Sequence, residues 1–236
     1  MKVRKDGMMK KVLVVGANGK IGRQVVDKLH ENSDYDVYAG LRKDDQIAER
    51  KGKGIHAVKV DLEGELTALE EAAKGMNAIV FSAGSGGSTG DDKTILVDLD
   101  GAVKMMLAAQ NQGVKRFVMV SSMFSNVRDI WSYGRYENAG VGNPYFAAKH
   151  YADEALQASD LDYTIIRPST LQDDAGTGKI SLAEQFTNHD ERTMKIPRED
   201  VAETIIAVLG NDHTIGKTFD LDTGDTPIAE VVEGLG

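Results

Sequence analysis

The chain has no cysteine, which excludes disulfides, thiolate nucleophiles and cysteine-ligated zinc, and allows a reducing compartment. It lacks a long apolar run near its start. Only Val12 to Val15 follow the basic segment MKVRKDGMMKK, against roughly 7 to 15 residues for a signal-peptide core and about 20 for a membrane span. Positive charge is also in deficit: 28 Lys and Arg face 37 Asp and Glu, a formal charge of -9. Such a chain repels phosphate backbones and anionic lipid, so nucleic acid and membrane are not expected partners. The five histidines show no ligand spacing, and no metal is expected. These absences suit a soluble cytoplasmic protein acting on a small-molecule substrate; they leave its oligomeric state open.

At 236 residues and 41% hydrophobic the chain supports one core of ordinary size, at roughly 150 residues per domain. Short β-branched runs, Lys11–Val15, Tyr35–Leu41, His56–Val60, Ala78–Ala83, Arg116–Ser121 and Tyr163–Arg167, read as strands. Between them Gly22–Glu31, Leu66–Ala73, Thr94–Gln112 and Pro144–Ser159 carry apolar residues three and four apart and read as helices. Alternation of this kind predicts an α/β fold, a doubly wound parallel sheet of Rossmann type covered on both faces. The alternation loosens from about Asp173. Residues 173–236, with a helix over Arg198–Leu209, a strand over Lys217–Leu221 and a helix from Pro227, are expected to add a small substrate-side cap to this single domain.

Gly16, Gly19 and Gly22 stand between an apolar strand and an amphipathic helix in VLVVGANGKIGRQVVDKL. With 25 glycines the spacing alone recurs easily by chance, so the flanking strand and helix carry the inference of a dinucleotide phosphate turn. An NAD-specific site usually places an acidic residue about 20 positions later, to hold the ribose hydroxyls. Here Arg42 and Lys43 stand in YAGLRKDD. A guanidinium pairs with a 2′-phosphate, so NADP(H) is expected over NAD(H). Asp61, in KVDLEG, suits either an adenine amino group or a helix cap.

Tyr145 and Lys149 lie four apart in NPYFAAKHYADEAL, on one face of the expected helix. A phenol beside an ammonium parts with its proton more easily and can serve as acid or base. The pair follows a strand ending in RFVMVSS and precedes one ending in IIRPSTL. This ordered set, together with FSAGS, ILVDLDGAVKMMLAAQNQGVKRFVMVSS and IPREDVAETI, resembles the short-chain dehydrogenase/reductase superfamily over Val12 to about Leu209. The resemblance is to its atypical NAD(P)H-binding group of flavin/biliverdin-reductase-like and NmrA-like proteins.

The resemblance implies that Gly16, Ala17, Asn18, Gly19, Lys20, Ile21 and Gly22 hold the pyrophosphate and Arg42 the 2′-phosphate. It implies Asp61 and Leu62 at the adenine, and Ser82, Ala83 and Gly84 near the adenosine ribose. Tyr145 would then be the acid/base, Lys149 would hold the nicotinamide ribose, and Pro168 and Ser169 would line the nicotinamide pocket. Ser122, last of its strand, is chosen over Ser121 to steady a substrate carbonyl. Met123 stands where active relatives often carry serine or threonine, and the usual Tyr-Gly is displaced to Tyr133 and Gly134. That departure weakens a sugar-epimerase reading.

Phe124, Trp131, Tyr133, Tyr136, Tyr145 and Phe146 gather between the serine strand and the tyrosine helix. They suggest a lid over a flat carbonyl or quinone-like acceptor, or equally a packed cluster under a loop; Arg128 and Arg135 are candidates for an anionic group on that acceptor. The leading expectation is NADPH-dependent hydride transfer to such an acceptor. The alternatives are a nucleotide-sugar epimerase or dehydratase, and a non-catalytic NADP(H)-sensing regulator of NmrA type.

Overall fold

The computed structural model describes residues 9–86, 89–126, 144–186 and 194–235. The strands are β1 (Lys10–Val15), β2 (Tyr35–Leu41), β3 (His56–Lys59), β4 (Ala78–Phe81), β5 (Arg116–Val120), β6 (Asp162–Pro168), β7 (Thr170–Gln172), β8 (Lys179–Ala183), β9 (Lys195–Pro197), β10 (Lys217–Thr223) and β11 (Thr226–Pro227). The helices are α1 (Lys20–Glu31), α2 (Asp44–Gly52), α3 (Leu66–Ala73), α4 (Asp91–Lys93), which continues into a π-helical Thr94–Asp100, α5 (Gly101–Asn111), α6 (Pro144–Gln157), α7 (Arg198–Leu209) and α8 (Ile228–Glu233).

Among the described residues, nine strands form one sheet in the order β11-β8-β10-β6-β5-β4-β1-β2-β3. The seven from β3 to β10 are mutually parallel, and β8 and β11 extend that edge antiparallel. Burial on both faces explains the unbroken apolar strands. In β1, Val12 and Val14 face one core with Val25, Val26 and Leu29 of α1 and Val201, Ile205 and Val208 of α7. Leu13 and Val15 face the other, with Leu69 of α3, Met105 and Ala109 of α5, and Ala152 and Leu156 of α6. A fully buried leucine such as Leu13 contributes about 2 kcal/mol.

Most of the segment from Asp173, expected as a cap, is continuous with this architecture: β8, β10 and β11 extend the sheet, while α7 and α8 cover one face. The order also sets the site. The chain leaves β1 for β2 on one side, while β4 lies on the other, so a crevice opens at the carboxyl ends of β1 and β4.

A candidate dinucleotide and proton-transfer site

At the end of β1 the backbone turns at Gly16, whose φ is +83°. A Cβ there would lie 2.7 Å from the Ala83 backbone nitrogen and Cα, so the loop after β4 is in backbone contact with the turn. A Cβ on Gly22 would meet the Gly16 carbonyl oxygen at 2.4 Å, which presses α1 against the turn. The Gly16 carbonyl accepts the Gly19 amide at 2.9 Å, and the Ala17 amide donates to Gly40 O at 3.3 Å. Gly19 caps α1 without a side-chain hydrogen bond. The first-turn amides of Lys20, Ile21 and Gly22 therefore aim, with the positive end of the helix, into the crevice. Asn18 accepts from Arg23 at 2.8 Å, Lys20 pairs outward with Asp173, and Ile21 tucks its side chain into the core. Such a cradle suits a pyrophosphate.

Beside it lies a cavity of about 190 Å³ bounded by Gly16, Asn18, Gly19, Leu41, Arg42, Gln46, Asp61, Leu62, Glu63, Ala83 and Val97. Arg42 is exposed and stands 3.8 Å from Glu63, whose other oxygen pairs with Lys93. The hydrogen bond to Glu63 raises the Lys93 pKa. Lys43 donates its amide to Gln46 at 3.4 Å and starts α2. Asp61 lines the cavity, and its carboxylate accepts the Glu63 amide at 3.2 Å. It thus braces a turn rather than capping α3, whose N-cap is Glu65. Ser82 donates its hydroxyl to Val15 O at 3.3 Å, and Gly84 lies so close to Asp98 that a Cβ would stand 3.0 Å from Oδ1.

The tyrosine and lysine do meet. Lys149 is 5% exposed, with Nζ 5.7 Å from the centre of the Tyr145 ring and 3.1 Å from Asp98 Oδ1. Burial works against its charge, yet the Tyr145 oxygen and the carboxylates of Asp98 and Asp153 together outweigh that effect and hold the Lys149 pKa above the ordinary lysine value. Tyr145 is 38% exposed and packs edge-on against Phe146, which meets Phe124 in the same way.

Ser121 and Ser122 separate cleanly. Ser121 is buried, with its hydroxyl 3.1 Å from Ser125 Oγ, in a network where Asp153 accepts from Ser125 at 3.0 Å and from Arg167 at 2.8 Å. Burial pushes the Asp153 carboxyl up, against the pull of Arg167. β5 ends at Val120, so Ser122 is not the last residue of the strand: it lies two residues beyond, partly exposed, at the start of a 3-10 turn over Met123–Ser125, and the His150 ring bonds Ser125 O at 2.9 Å and ties α6 to that turn. Pro168 ends β6. Ser169, also buried, donates its hydroxyl to Asp222 at 2.5 Å, so that hydroxyl is directed at β10.

Asp98, Glu63 and Gln46 escape a reading of the sequence. The first sits in an apolar helical run, and the other two read as solvated charge and amide. Trp131, Tyr133, Tyr136, Arg128 and Arg135 lie outside the described residues. Among the described residues no group of side chains is arranged to hold a metal, and no helix is long and apolar enough to cross a membrane.

Residues 16–212 match a family model described as NAD(P)H-binding. The chain is 47% identical over 225 residues to the uncharacterized sugar epimerase YhfK of Bacillus subtilis, covering 95% of this chain and 100% of that protein. A putative NAD-dependent epimerase/dehydratase from Bacillus halodurans superposes with a TM-score of 0.84 at 41% identity, over 95% of this chain and 99% of that one. The oxidoreductase ylbE from Lactococcus lactis superposes at 0.81 with 35% identity, over 95% and 96%. A glycine cradle at the switch point of a parallel sheet and a match over most of the length lead to one conclusion: the chain belongs to the NAD(P)H-binding family, on a Rossmann-like fold.

Proposed function

We propose that the protein is an NADPH-dependent reductase that transfers hydride to a small carbonyl-like or quinone-like acceptor. The observation that carries this reading is the buried Lys149 ammonium over the Tyr145 ring, on the helix that His150 ties to the turn after β5. The uncapped start of α1 would hold the pyrophosphate between Gly16 and Gly22, with Ala83 against the turn. Asp61 and Leu62 would flank the adenine, and Arg42 and Lys43 would meet a 2′-phosphate with Lys93 near by. Bound there, the reduced nicotinamide supplies the hydride. Ser122 would hold the acceptor oxygen by a hydrogen bond, while Ser121 stays in its buried network. Tyr145 would deliver a proton to that oxygen as negative charge develops on it, with the Lys149 ammonium stabilising the phenolate left behind. Pro168 and Ser169 would shape the nicotinamide side.

This reading is tested by NADPH consumption over a panel of carbonyls and quinones. Tyr145→Phe should lower turnover by about 10² or more and leave NADPH binding intact by calorimetry. Full activity in that variant would end the proposal. A second reading, epimerisation of a nucleotide sugar, draws on the names of the two Bacillus relatives. It requires interconversion of sugars with no net consumption of cofactor, so the same panel extended to nucleotide sugars separates the two.

A further inference from the structure

Three segments meet beside the cavity at the glycine turn. Arg42 comes just after β2, Glu63 from the loop after β3, and Lys93 from α4, which follows β4. Among the described residues two carboxylates line that cavity. Asp61 is engaged by the Glu63 amide at 3.2 Å, whereas the Glu63 side chain faces cations: Oε1 accepts from Lys93 Nζ, and Oε2 stands 3.8 Å from an Arg42 nitrogen. Asp44, at the start of α2, is drawn off to Lys59 at 2.6 Å.

We infer that Glu63 is a specificity-determining residue for the cofactor: its carboxylate occupies the cations that a 2′-phosphate needs, and so limits the preference for NADPH over NADH. The inference deepens the proposed function and rests on its placing of a 2′-phosphate at Arg42, near Lys93. A phosphate arriving there exchanges charge-assisted bonds already made to Glu63 for new ones, and the net gain is only the difference. The carboxylate left in place also repels it. NADH brings no such phosphate and leaves both pairs undisturbed, so Glu63 acts on the difference between the two cofactors. The loop does not depend on this carboxylate. Its turn is braced through the Glu63 amide on Asp61, so neutralising the side chain leaves the turn intact. Ion pairs as open to water as these contribute little to stability, which makes support of the fold a weak reason for the cluster.

The test is calorimetry of NADPH and NADH binding at one ionic strength. Glu63→Gln should raise NADPH affinity about three- to tenfold and change NADH affinity by less than about twofold. Glu65→Gln removes the same charge two residues on, where the side chain neither lines the cavity nor caps α3, and should leave the ratio of the two affinities as in the parent. Lys93→Met should cost more NADPH affinity in the Glu63→Gln protein, where the ammonium is released to the phosphate, than in the parent, where Glu63 holds it. A ratio unchanged in Glu63→Gln, or raised equally by Glu65→Gln, overturns the inference, as does a Lys93→Met effect that is the same in both backgrounds. Glu63→Ser carries the same expectations should Glu63→Gln not fold. The two failures are distinct. If Arg42→Asp leaves NADPH affinity unchanged, the 2′-phosphate reading falls and the inference with it; if Arg42→Asp weakens NADPH while Glu63→Gln leaves the ratio unchanged, the inference alone falls.

Discussion

Gly16 combines a left-handed backbone with a wall of backbone atoms 2.7 Å from where a side chain would begin. Neither condition is met by alanine. Gly16→Ala should therefore move the loop after β4, cost about 1 to 3 kcal/mol of stability, and weaken dinucleotide binding further than that loss alone. Urea unfolding with calorimetry of NADPH binding checks both effects. At Arg42 the expected effect is one of cofactor choice. Arg42→Asp replaces a candidate partner of the 2′-phosphate by a charge that repels it, so NADPH affinity should fall by about 2 to 4 kcal/mol while NADH affinity changes little. Equal affinity of the parent protein for the two cofactors would remove the ground for that prediction. A glycine of this kind is legible in a sequence because it answers a local demand, a tight turn. Glu63 is not, since its place beside Arg42 and Lys93 depends on three segments meeting.

One helix, α6, places Tyr145, Lys149 and Asp153 at successive steps of four, and each has a different neighbour: Phe146, Asp98, and Arg167 with Ser125. Removing Asp153 would leave Arg167 buried and unpaired, so Asp153→Ala should cost about 3 kcal/mol in chemical denaturation. Lys149 makes the helix sensitive to alkali. Its folded-state pKa lies above the ordinary 10.5, so its contribution to stability is complete below pH 10.5 and is lost as the pH rises through the folded value. The stability difference between the parent and Lys149→Met should accordingly narrow in strong alkali, as followed by urea midpoints. The bounds of α3 and α7 agree with the apolar periodicity because their buried faces follow a regular period, and those of β2 agree with its apolar run because its end is buried on both faces. The run from Thr94 does not: it reads as one helix, yet begins as a π-helix, whose wider turn brings Asp98 inward. No spacing rule for a regular helix shows that shift. α2 is missed for the opposite reason: DDQIAERKG offers too few apolar residues to show a period.

Among the described residues, two apolar layers cover the nine-stranded sheet, and the candidate site lies where the connections of β1 and β4 part in opposite directions. The alternation of strands and helices as far as β6 announces that plan. β7, β8, β9 and β11 are short and were not expected, since their place depends on strands distant in the sequence. β10 lies between β6 and β8, although it follows both in the chain. A ribosome releasing this chain from its N-terminus delivers β8 before the strand it must pair with exists. Until residues 217–223 emerge, β6 presents an open edge and β8 has no place in the sheet, so the nascent protein carries two unpaired strands until that strand is made. A chain ended at Gly216 should accordingly associate through those edges, whereas the full chain refolds from urea as a soluble species; light scattering of the two side by side would show whether the late strand is what closes the edge.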